Sequence, residues 1–251
     1  MKKINSMSII APLILFVLIY FGLEILVRVF QIPRTIMPTP TAILTNTTVN
    51  FVADIWPQFL VTLKTIVIGF IAAIPIGMIV AAIFSQFDIL VKAITPLLIL
   101  LVVTPMITLI PLFLLWLGFN ENIRIIVVIV QCVPIIALNT LSGFTNVERN
   151  KLELMRSIGA TRLQTFIKVI LPNAMPQVFT GIKLGCIFAT IGAISADIVA
   201  GNVGLGFRIM QYSGFVMIEM AYGVIIVVAL IGITLFQIVS VIEKRVVIWK
   251  K

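Results

Sequence analysis

Histidine is absent from this 251-residue chain, and acids are scarce, nine Asp and Glu against eighteen Lys and Arg. Without His, the commonest metal ligand and the usual proton carrier near neutral pH are both missing. With so few acids, no nucleophile–base or metal set can be assembled, which excludes a membrane-embedded enzyme. No metal site and no cofactor are expected. Charged residues of either sign make up only 11%, against about 25% in soluble proteins, so a soluble domain is excluded. The two cysteines, Cys132 and Cys186, fall in apolar runs and read as small packing residues, with neither a disulfide nor a metal between them. No GxxxxGK[ST] string occurs, so the chain carries no P-loop of its own. Gly201, Gly204 and Gly206 in GNVGLG neither fit GxGxxG nor follow a strand, and read as a flexible external loop.

What is present is apolar length: 61% of the residues are hydrophobic. At ~20 residues per crossing, the apolar segments fill about six spans. The expected fold is therefore an all-α integral membrane protein forming one transmembrane domain. Residues 1–30 form a first, uncleaved span led by Lys2 and Lys3. Residues 31–58, with Pro33, Pro38 and Pro40, form an extended external linker. Residues 59–242 form a five-span core interrupted by a cytoplasmic loop at 145–176, and 243–251 form a basic tail. Within the core, the second span runs about Val61–Phe84, the third about Ala93–Leu117, the fourth about Ile123–Gly143, the fifth Val178–Ala200 and the sixth about Ala221–Ile242. Gly118 to Asn122 make an outer turn. On this topology twelve Lys and Arg face the cytoplasm and four (Arg28, Arg34, Arg124 and Arg208) face out, which places both termini inside. The net charge of +9 flanks membrane segments rather than one soluble face, so nucleic acid is not an expected partner. The bilayer is. No internal repeat is evident.

One stretch is polar, Thr145–Pro176. Thr145 with Glu148, and Thr161 with Gln164, have the capping-box spacing of two helix starts. Gly159 stands where the first short helix should stop, and Pro172 where the second should. Leu152, Met155 and Gly159, like Lys151, Leu154 and Ile158, recur at helical spacing, giving apolar knobs flanked by charge. Glu153, Gly159 six residues on, then Val169, Leu171 and Pro172 resemble the EAA loop of ABC-importer permeases, EAA-x3-G-x9-I-x-LP. Leu154 and Met155 replace the two alanines and Val169 the isoleucine. Further strings resemble the nitrate-, sulfonate- and taurine-type subgroup: MPTP at Met37–Pro40, the proline-rich Thr104–Arg124 with PL-x3-W-x-G, and the GLG of Gly204–Gly206.

This resemblance implies a type I importer. Its parts are two permease subunits, here a homodimer, a cytoplasmic ABC ATPase dimer and an extracytoplasmic substrate-binding protein, in the bacterial cytoplasmic membrane. ATP hydrolysis falls to the separate ATPase. The residues implied to couple to it are Glu153, Leu154, Met155, Arg156, Gly159, Leu171 and Pro172. The solute is nitrate-, sulfonate- or taurine-like, or a pyrimidine- or vitamin-type precursor. Asp197, the one acid deep in the last four spans, is either paired with Arg208 or a backbone amide, or part of the pathway, as the family's acid at this place suggests. Pro105 and Pro111 kink the third span either for packing or to line the pathway. A secondary transporter or channel is the alternative class, but the intramembrane ionisable residues or repeat it would use are missing apart from Asp197.

Overall fold

The computed structural model describes residues 6–118, 120 and 122–249. Lys2, Lys3, Lys250 and Lys251 of the basic ends, and Phe119 and Glu121 of the outer turn, lie outside the described residues. Among those described, all regular structure is helical: eleven α-helices and two five-residue π-turns.

Helix α1 (Ser6–Val29) is followed by α2 (Pro40–Asn50), a first π-turn (Phe51–Ile55) and α3 (Trp56–Phe84). The segment expected to be an extended linker is thus largely helical, and α2 runs through the π-turn into α3 as one 45-residue rod. The reason is local. Thr39 caps α2 by accepting from the Ala42 N–H (3.3 Å), and Pro40 occupies the first helical position, where no N–H is needed. Only Ile32 to Thr39 is irregular apart from turns.

The third span is not one helix. It is two, α4 (Asp88–Val103) and α5 (Met106–Leu117), bent by 95° at Thr104–Pro105. The residue before a proline is driven out of the α region, and Thr104 obeys, with ψ 122°. The Thr104 hydroxyl donates to the Leu100 carbonyl (2.8 Å) and the Thr108 hydroxyl to the Pro105 carbonyl (2.7 Å), each oxygen also accepting a backbone N–H, from Thr104 and Thr108 respectively. Pro96 and Pro111 stay inside α4 and α5.

Helix α6 (Asn122–Thr145) is the centre of the bundle, packed on α3 and on α9 (Leu171–Val199). Lipid supplies no hydrophobic drive between membrane helices, so close packing must come from small residues. A Cβ on Gly77 would lie 2.8 Å from Ile136, and one on Gly181 2.8 Å from the Asn139 Cβ. Cys132 and Cys186 are buried free thiols at the α6–α9 contact, Cys132 donating to the Gly185 carbonyl (3.4 Å). Helices α7 (Arg149–Ser157) and α8 (Arg162–Thr165) fill the polar stretch. A second π-turn (Phe166–Ile170) joins α8 to α9. Pro172 therefore does not end a helix: the chain runs unbroken from Arg162 to Val199. The Leu171 N–H reaches back five residues to Phe166, so the proline's missing donor falls beside an already widened turn. Both π-turns carry the same string, Phe-x-x-x-Ile-x-Pro, at Phe51–Pro57 and Phe166–Pro172.

After α9, the glycine-rich segment leads into α10 (Leu205–Gly214) and α11 (Ile218–Val246). Far from a flexible loop, α10 packs on α9 and α11 and buries Leu205 and Tyr212. Among the described residues, four helices or joined rods are long and apolar enough to cross a membrane, and the bent α4–α5 pair makes a fifth. Helix α1, with exposed Phe16, Leu18 and Ile25, is 24 residues long, enough for a ~30 Å core.

Candidate functional site: a short helix with an apolar ridge and a buried clamp

The polar stretch builds a small, well-capped unit. Helix α6 continues through Thr145, whose hydroxyl donates to the Leu141 carbonyl (3.0 Å). The expected Thr145–Glu148 box therefore does not form. Glu148 stands at the N-cap of α7 without a capping bond, and its carboxylate takes Lys151 (3.1 Å) instead. The other box is present, with Thr161 accepting from the Gln164 N–H (3.2 Å) and the Gln164 side chain from the Thr161 N–H (2.9 Å).

Between the two helices, Gly159 has φ +71°. Its N–H bonds the Arg156 carbonyl and the Ala160 N–H the Met155 carbonyl, both at 3.0 Å, the paired bonds of a Schellman stop. Left-handed backbone is what Gly supplies without strain.

Helix α7 turns its side chains three ways. Met155 is buried. Leu154 and Ile158, four residues apart, form an exposed ridge, 62% and 68% accessible. Arg156 and Leu152 face a different side. Glu153 is exposed and pairs with Arg149 (2.9 Å). Leu154, Met155 and Pro172 line one cleft of about 600 Å³, with Trp249 at its edge. Leu171 is half-buried at the start of α9. Of the residues singled out from sequence, then, Leu154, Met155 and Pro172 share a cleft, while Arg156 is held apart from them.

The second constellation surrounds Asp197, fully buried near the end of α9. Its Oδ2 accepts from the Thr62 hydroxyl (2.6 Å) and the Gly206 N–H (3.5 Å), and Oδ1 lies 3.6 Å from Arg124 Nη1. Thr62 accepts from the Leu205 N–H (2.8 Å), Gln58 from the Gly204 N–H (2.6 Å), and Arg124 donates to the Val203 carbonyl (3.5 Å). Gly204, at φ +100°, lies against this carboxylate with no room for a Cβ. One acid thus ties α3, α6, α9 and the turn into α10.

Its partner is not Arg208, the nearby cation. That residue pairs instead with Asp54 in the first π-turn (2.5 Å), which also accepts from the Tyr212 hydroxyl. Burial pushes the Tyr212 hydroxyl above its usual range, and the Asp54 carboxylate adds to that. Sequence reasoning misses Thr62, Gln58 and Arg124. The usable signal is the rule that a buried acid needs a partner, applied to Arg124 at the start of an apolar helix. Pro105 is exposed at the α4–α5 bend. Pro111 lies within α5, whose Met106, Ile110 and Leu114 pack on Ile123, Val127 and Ala196.

Neither constellation offers a nucleophile with a base. The first presents an exposed apolar ridge and the second a buried joint.

The pattern of the family described as "binding-protein-dependent transport system inner membrane component" matches residues 73–248. The formylaminopyrimidine transport permease protein ThiX of Halalkalibacterium halodurans is 27% identical over 251 residues, 98% of each chain. The putative aliphatic sulfonates transport permease protein SsuC of Bacillus subtilis is 25% identical, covering 87% of this chain and 80% of its own. The taurine transport system permease protein TauC of Escherichia coli is also 25% identical, with 78% and 72% covered. Among solved structures, an amino acid ABC transporter aligns with TM-score 0.63 at 17% identity, over 79% of this chain and 97% of the other. The MetNI methionine ABC transporter, inward facing, aligns with TM-score 0.52 at 22% identity, over 74% and 93%. These two speak for the fold alone. With its family pattern, permease relatives and importer fold, the chain belongs to the binding-protein-dependent transport system inner membrane component family and is a membrane-spanning permease subunit of an ABC importer.

Proposed function

We propose that α7, with its Gly159 stop, docks into a groove on a cytoplasmic ABC ATPase and carries the ATPase's motion into the spans. The observation that carries this reading is the exposed Leu154–Ile158 ridge on a helix of nine residues. A helix that short is not stable alone in water, and two bare apolar side chains at i and i+4 suit a groove rather than solvent. Glu153 supplies an oriented charge at the rim, while Pro172, beside Leu171 at the start of α9, lines the cleft behind α7. In the complete importer an ATPase dimer serves two copies of this chain, and an external binding protein delivers the solute. Both termini and residues 145–176 then face the cytoplasm. Closure of the nucleotide-bound ATPase moves the docked helices as rigid bodies and opens the pathway outward. Hydrolysis stays in the ATPase.

The transported solute is a small molecule of the kind named for the relatives: a sulfonate, taurine or a formylaminopyrimidine. Uptake of labelled members of each class, with unlabelled competitors, decides among them.

The docking reading is tested with the double variant Leu154→Asp, Ile158→Asp. Losing two buried apolar contacts costs roughly 3 kcal/mol, about a hundredfold in affinity. ATPase co-purification should fall accordingly while membrane insertion is unchanged. Wild-type co-purification by the variant sinks the reading.

A further inference from the structure

Arg149 finds an acid on α7 itself and Lys151 one at its N-cap, but Arg156 and Arg162 form no ion pair with any described acid. Both line a second cleft beside α7, of about 660 Å³, whose other polar side chains are Ser85, Gln86 and Thr165. Ser85 and Gln86 belong to the turn between α3 and α4. Asp88 begins α4 just beyond that turn and is bonded to neither arginine. The rest of the wall is apolar, chiefly Phe87, Phe144 and Phe166.

The cleft's place in the bundle matters. The apolar rod of α3 ends at Phe84, so the Ser85–Phe87 turn stands where hydrocarbon gives way to headgroups. Phe87 of that turn, and Ile167 next to the cleft residue Phe166, remain more than half exposed, as suits contact with acyl chains. Arg156 also lies off the Leu154–Ile158 ridge, on the Leu152 side of α7, so an occupant of this cleft leaves the ridge free.

We propose that this cleft binds the headgroup phosphate of an anionic phospholipid of the cytoplasmic leaflet, held between the α3–α4 turn and the coupling helices; the choice of leaflet rests on the topology proposed above. Two guanidinium groups offer forked donors to phosphate oxygens, and basic pockets between membrane helices on the cytoplasmic side take such headgroups. Ser85, Gln86 and Thr165 add neutral donors. The lipid then bridges a membrane turn to the loop that faces the ATPase, through no covalent part of the chain.

The full-length permease, purified in mild detergent, is titrated with phosphatidylglycerol, with phosphatidylcholine and with inorganic phosphate, and retained lipid is read by native mass spectrometry. Phosphatidylglycerol should be retained over phosphatidylcholine. The double variant Arg156→Gln, Arg162→Gln should weaken retention on the order of 30-fold, about fivefold per arginine. A control, Lys244→Gln with Arg245→Gln in the basic tail, should leave it unchanged. If the double variant inserts poorly, Arg156→Gln alone, on the exposed helix, should show the single fivefold step. ATPase co-purification, measured in parallel with Arg162→Gln alone, should stay at wild type while lipid retention drops by its single fivefold step, which separates this site from the docking ridge. Equal retention of both lipids, retention indifferent to the arginines, or displacement by millimolar phosphate would overturn the proposal. So would a double variant that loses the ATPase but keeps the lipid, since the cleft would then be an ATPase contact.

Discussion

Gly159 gives the sharpest test of the coupling helix, because its substitution changes backbone energy and little else. At φ +71° an L side chain pays about 1–2 kcal/mol. No heavy atom lies within 4 Å of a Cβ built there, so no steric clash adds to that figure. Alanine should sit near the lower bound and β-branched valine near the upper. Asparagine, which tolerates left-handed backbone, should cost least. At 1.4 kcal/mol per factor of ten, the docked geometry of α7 and α8 becomes about fivefold rarer with Gly159→Ala and roughly 30-fold rarer with Gly159→Val. The assay is ATP-driven uptake by proteoliposomes holding equal amounts of inserted permease and added ATPase, with co-purification as a second readout. The expected order is Gly, Asn, Ala, Val. Wild-type transport by Gly159→Val would mean the stretch is only a solvated loop. Asparagine as damaging as valine would refute the conformational argument even if coupling were lost.

Glu153→Ala removes one of an exposed pair with Arg149, so thermal stability should stay within about 0.5 kcal/mol, while ATPase association weakens more mildly than with Gly159→Val. Asp197→Ala leaves Arg124 without its acid and should cost about 3–5 kcal/mol, read as a lower unfolding temperature and less protein in the membrane; Asp197→Asn keeps an acceptor for Thr62 and should be milder. Unchanged stability with blocked transport in Asp197→Ala would make it a pathway residue instead of a clamp. Membrane-impermeant thiol reagents on intact cells should label a cysteine at Asn202 and spare one at Asn150; external labelling at 150 would overturn the topology on which the docking argument depends.

Features carried by neighbouring residues are legible in the sequence itself. The Thr161–Gln164 box and the Gly159 stop are decided within a few residues, and both form. Thr145–Glu148 has the same spacing but fails, because Thr145 still belongs to the last turn of α6, which packs against α9, and α7 starts only after Glu148. Pro40 and Pro172 look like breakers in the sequence, yet each stands at the start of a helical segment, one behind a threonine cap and one behind a π-turn. Spacing alone does not separate a proline that opens a helix from one that closes it. The partner of Asp197 is beyond local reading altogether. Arg208 is nearer in sequence, but Asp54 claims it, and Arg124 arrives from another helix.

The uninterrupted run from Arg162 to Val199 makes the two constellations opposite ends of one lever. Thirty-eight residues at 1.5 Å each span about 57 Å. A tilt of only about 5° about its midpoint carries each end through roughly 2.5 Å, by the same rise per residue. The Thr62–Asp197 bond is 2.6 Å long and survives only a fraction of such a displacement. A push on the Arg162 end is therefore felt at the Asp197 joint without any relay of side chains. Either α3 and α6 swing with the lever as one block, or the joint at Asp197 opens.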